Sequence, residues 1–69
     1  MKDEALRLCD CIIIYLTEED FPDSAVEFID SVEKKTISIR DWVEKNNHAT
    51  ENQIIALENM LEGVERWLK

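Results

Sequence analysis

The chain reads as an all-α, three-helix domain: a long antiparallel hairpin of the second and third helices with an apolar first helix packed across it, the whole dimerising. Three observations predict it. One Gly and one Pro in 69 residues leave little to build the repeated tight turns of a β domain. Apolar residues recur at helical spacing in three stretches, and polar segments with capping or turn residues separate them.

The first helix is expected over about residues 3–18. Asp3 and Glu4 suit a positive helix N-terminus, and Ala5, Leu8, Cys9, Ile12, Tyr15 and Leu16 fall on one stripe. Leu6, Ile13 and Ile14 lie at its edge or beyond it. A helix apolar around so much of its girth needs cover on more than one side, which points to a partner subunit. The β-branched run Ile12-Ile13-Ile14 also suits a strand, but no other segment offers one to pair with.

Residues 17–23, Thr-Glu-Glu-Asp-Phe-Pro-Asp, form a polar connector. Pro22 is tolerated in a first helical turn and not in an interior, so the second helix starts nearby. Ser24-Ala25-Val26-Glu27 has the form of a capping box, with Asp20 an alternative cap. Ala25, Ile29, Val32, Thr36, Ile39 and Val43 then step by four and three, predicting one helix over about residues 24–45. Its weak point is Lys35-Thr36-Ile37-Ser38, where β-branching lowers propensity and a kink is expected if anywhere.

Asn46-Asn47-His48-Ala49 supplies the stop, because Asn tolerates the left-handed conformation that closes a helix. Thr50-Glu51-Asn52-Gln53 is a second capping box, opening a third helix. Its seam is Ile54, Leu57, Leu61, Val64 and Leu68, broadened by Ala56, Met60 and Trp67, with Glu58, Glu62 and Glu65 toward water. No repeat, low-complexity tract or linker divides the chain, so residues 1–69 are one domain.

Charge and cysteine content exclude several functions. Sixteen Asp+Glu against eight Lys+Arg give a net charge of −8. Phosphate-backbone binding depends on Lys and Arg displacing counterions, so direct nucleic-acid binding is not expected. Met1-Lys2-Asp3-Glu4 lacks the positive start of a signal peptide, and charge interrupts every apolar run, so a cytoplasmic protein without a membrane segment is expected. Cys9 and Cys11 project about 200° apart on a helix and share neither one metal nor one disulfide. With His48 the sole histidine, no zinc spacing exists. At least one of the two cysteines is expected to act as a small buried hydrophobe.

No catalytic set assembles either. Ser24, Ser31 and Ser38 have only His48, in a turn, to activate them. Asp10 sits in the most apolar helix, on a solvated face or paired with Arg7 or with Arg40 of another helix. No enzyme activity, cofactor or metal is expected. Trp42 and Trp67 flank the seams of the second and third helices, and tryptophan is the residue most enriched at binding hot spots. With Ile13, Ile14 and Leu68 they are the candidate interaction residues.

Phe28-x-x-Ser31, then Ile39 and Trp42, then Thr50-x-x-Gln53-x-x-Ala56-Leu57-x-x-Met60 resembles short helical proteins and terminal helical segments encoded by bacteriophages. The resemblance spans about residues 28–60. Asn52 stands where that pattern has Lys, and Asn46-Asn47-His48 where it has a glycine-containing turn. It implies an origin and assigns no catalytic residue.

The expected function is a small acidic interaction module, a phage-type regulator or inhibitor of a host protein that acts as a homodimer. One alternative is a polyanion mimic presenting Glu18, Glu19, Asp20 and Asp23 to the DNA groove of a nucleic-acid enzyme. A second is a nucleotide or small-ligand sink at an oligomer interface, using Lys34, Lys35 and Arg40.

Overall fold

The computed structural model describes residues 1–68. Three helices, α1 (Lys2–Glu18), α2 (Val26–Asn46) and α3 (Glu51–Trp67), carry the fold, with a single 3-10 turn (Asp23–Ala25) before α2 and no strand among the described residues. The run Ile12-Ile13-Ile14 is therefore helical. β-branching lowers helix propensity by only tenths of a kcal/mol, about 0.5 per residue, and burial of Ile12 outweighs that.

α1 closes at Glu19, whose extended backbone (φ −101°, ψ 148°) leaves the helix while its N–H still donates to the Tyr15 carbonyl. The entry to α2 differs from the sequence expectation. The Ser24-x-x-Glu27 capping box does not form; Ala25 is the N-cap, with no side-chain cap bond. Pro22, extended at φ −67° and ψ 158°, starts a 3-10 turn in which Ser24 is already wound. An N-cap residue needs the extended conformation that Pro22 has and Ser24 has lost.

α2 runs without a break through Thr36. Thr36 is fully buried, so its fixed rotamer is offset by packing and the helix continues through it, as the single-helix reading expects. Asn47 is the only described non-glycine residue in the left-handed region (φ 58°, ψ 26°) and turns the chain. The Thr50 box forms as expected: Gln53 N–H donates to Thr50 Oγ1 at 3.1 Å, and Thr50 N–H donates to Gln53 Oε1 at 2.9 Å. Such a cap contributes about 1 kcal/mol.

The core takes Ala5, Cys9 and Ile12 from α1, Val32, Thr36 and Val43 from α2, and Ile54, Leu57 and Val64 from α3. α1 is the shared layer. It packs extensively on both α2 and α3, which touch each other over a shorter stretch. Lys2, opening α1, donates to Asn47 at the end of α2. Farther along, Arg40 Nη1 lies 3.4 Å from Asp10 Oδ1. The first turn of α2 meets the last turn of α3, where the Phe28 and Trp67 rings sit 6.4 Å apart and tilted by 41°. The body measures 36 × 18 × 17 Å.

The single glycine belongs to this α2–α3 contact. A Cβ on Gly63 would stand 2.8 Å from Phe28 Cζ, so the ring edge rests on the α3 backbone. Glycine inside a helix costs about 1 kcal/mol against alanine. Gly63→Ala is therefore expected to recover nothing in the native background and about 0.5–1 kcal/mol when Phe28 is first replaced by leucine. Urea denaturation of the four proteins in this cycle measures the difference. Equal effects in both backgrounds would mean the ring does not hold that place.

Candidate interaction surface

The apolar residues left over by this packing are spread over all three helices. Ile14 keeps 53% of its surface exposed, Ile37 46%, Ile55 46%, Trp67 40% and Trp42 38%. Scattered apolar side chains are normal on a surface; contiguous ones mark contacts.

Two of the predicted positions adjoin. Ile13 is half-buried and, with Leu16, Thr17, Glu33 and Ile37, lines a groove of about 260 Å³ between α1 and α2. Ile14, the next residue, points away from the core and borders a hollow of about 360 Å³ with Cys11, Tyr15, Glu18 and Glu19. The other three lie at the ends of the bundle. Trp42 stands edge-on to His48, centroids 5.1 Å apart, beside the turn between α2 and α3. Trp67 lies on Phe28 at the opposite end, and Leu68, half-buried, follows it as the C-cap of α3. Phe28 and Trp42 are fourteen residues apart on one helix, roughly 21 Å at 1.5 Å per residue, so the two tryptophans do not share a patch.

Ile37 and Ile55 were not singled out from the sequence. Each sits one position past a buried seam residue, Thr36 and Ile54, and that offset from the stripe was the available signal. The acids Glu18, Glu19, Asp20 and Asp23 are all exposed around the α1–α2 connector.

Of the candidate ligand cations Lys34, Lys35 and Arg40, two are engaged and Lys35 is exposed. Lys34 pairs with Asp30 at 3.0 Å within α2. Arg40 meets Glu44 at 3.2 Å and Asp10 of α1 at 3.4 Å. The hydrogen bond that Arg40 Nε donates to Glu44, then the charge of Asp10, hold the Arg40 guanidinium above its ordinary pKa. Exposed pairs of this kind add little stability, but they occupy Arg40 and tie α1 to α2.

The two thiols differ sharply. Cys9 is fully buried and its Sγ lies 3.9 Å from the Thr36 carbonyl, whereas Cys11 is exposed. Burial pushes the Cys9 thiol above its ordinary pKa, with a smaller opposing pull from Arg40. Thiolate is the reactive form, so a maleimide or disulfide reagent near pH 8 is expected to modify Cys11 at once and Cys9 only through unfolding. Mass spectrometry of a labelling time course reads this as one adduct, then a second appearing slowly. Two adducts at equal rates would contradict the packing of α1.

Among the described residues, no cluster of three or more His, Cys, Asp or Glu is placed to hold a metal ion, and no helix is long and apolar enough to cross a membrane. No protein-family model, curated protein or solved structure matches the chain.

Proposed function

We propose that this chain is a small acidic, non-enzymatic interaction module of the cytoplasm, a phage-type regulator or inhibitor of a host protein, working as a homo-oligomer on an antiparallel α2–α3 hairpin. One observation carries the reading. α1 buries Ala5, Cys9 and Ile12 completely on one side, yet still presents Ile14 at 53% exposure on the other, so the helix has apolar surface beyond what its own chain covers. The net charge of −8 favours a basic partner, and the exposed Trp42 and Trp67 offer aromatic anchors. Phe28 at the start of α2, against Gly63 and Trp67 near the end of α3, supports the hairpin. The pattern over residues 28–60 supports the phage origin.

The exposed acids Glu18, Glu19, Asp20 and Asp23 favour a second reading, mimicry of a polyanion. Capture of host protein by the immobilised chain separates the two. On the first reading, binding survives about 0.5 M salt, where the Debye length falls below 5 Å, and is lost in Ile14→Glu or Trp67→Glu. On the second, it is lost in that salt and on neutralising the four acids together. A partner indifferent to both sets of changes would sink both readings.

A further inference from the structure

The outward face of α1 carries a charge and shape pattern that is complementary to itself. At 100° per residue, Arg7, Cys11, Ile14 and Glu18 fall within a sector of about 60° roughly opposite Cys9, and all four are exposed. Cys11, Ile14, Tyr15 and Glu18 border the 360 Å³ hollow. Their spacing, i, i+3, i+4 and i+7, is that of the four-residue hole that receives a side chain in helix–helix packing.

Cys11 and Ile14 are equidistant from a point midway between Ile12 and Ile13, and so are Arg7 and Glu18. A two-fold axis through that point, in the plane of contact and perpendicular to α1, lays a second α1 antiparallel on the first. It brings Arg7 of each copy beside Glu18 of the other and Cys11 beside Ile14. An interface between identical surfaces demands this reciprocity: where residue i meets j, j must meet i. Arg7 is also available. Asp3, Glu4 and Asp10 lie within one helical turn of it, yet it makes no ion pair among the described residues, while α1's other cation, Lys2, is bonded to Asn47.

We propose that the chain pairs with a second copy of itself through this face, α1 antiparallel to α1, with each Cys11 seated in the hollow formed by Cys11, Ile14, Tyr15 and Glu18 of the other and Arg7 paired to Glu18 at both ends. The proposal rests on the homo-oligomer reading above and adds to it the face, the direction and the register. Charge argues for this face against most others, because a net −8 on each copy repels across surfaces that lack an opposing cation. One helix face buries less than the roughly 800 Å² per partner of a standard interface, so the pair is weak, with a dissociation constant in the micromolar range.

Sedimentation equilibrium of the full chain across about 5–500 µM, a window suited to a weak complex, tests it. The native protein is expected to dimerise. Arg7→Glu and Glu18→Arg, each checked for native helicity by circular dichroism, should each weaken the dimer tenfold or more, and the double exchange should restore it to within about threefold. A short bis-maleimide should link the two copies through Cys11. A dimer that the double exchange fails to restore overturns this register and leaves the homo-oligomer reading standing. A monomer at every concentration overturns both.

Discussion

Ile12→Ala is expected to take the protein to the edge of unfolding. Ile12 is the largest side chain that α1 buries completely, and α1 is the layer both other helices pack on. Removing three buried carbons of an isoleucine costs about 2–5 kcal/mol, because the site loses both the transfer energy and the contacts across the void. A core of this size supplies only about 3–5 kcal/mol in total. The loss is therefore comparable with the whole stability. α2 and α3 have a shorter contact of their own to fall back on, so the unfolding should be global. Urea titration followed by circular dichroism should show the midpoint moved to near zero denaturant at 25 °C, while Ile14→Ala, an exposed neighbour, moves it little. A loss below 1 kcal/mol for Ile12→Ala would mean that α1 is not the helix holding the other two.

Thr36→Val is expected to act in the opposite direction. Thr36 is fully buried in the middle of α2, and its Oγ1 has no hydrogen-bond partner. A buried hydroxyl without a partner costs about 1–3 kcal/mol in lost hydration, and valine has almost the same shape. Replacing the hydroxyl by a methyl group should add about 1 kcal/mol, visible as a rise of roughly 4–8 °C in Tm for a domain of this size. Thr36→Ser, which keeps the hydroxyl and loses the methyl, should destabilise by about as much. A neutral or destabilising Thr36→Val would show that the hydroxyl is satisfied in solution.

These two residues mark where sequence legibility ended. Both lay on predicted seams, so their burial was readable from spacing alone. The unpartnered hydroxyl was not, since it depends on which atoms of α1 face Thr36. The Thr50 box and the Asn47 turn were legible because each is decided within four residues of backbone. The Ser24 box failed for a reason equally local: Pro22 began a turn early and took the extended position that Ser24 needed. The shared-layer position of α1 was only partly legible. Its excess of apolar positions was in the sequence, but contact with both partners along its length is a property of the assembled bundle. Of the interaction candidates, Ile13 and Ile14 adjoin on α1 but border different hollows, while Trp42 and Trp67 lie at opposite ends, a separation fixed by where α2 and α3 begin and stop.

The central place of α1 bears on how the chain acquires its form during synthesis. α1 leaves the ribosome before the two helices that settle on it, and its contacts with α3 span more than thirty intervening residues. Closing so long a loop must wait until α3 has emerged. Until then the nascent segment carries Leu6, Ile12, Ile13 and Ile14 uncovered, and its dependence on chaperones should be concentrated in that interval, ending once α3 has docked.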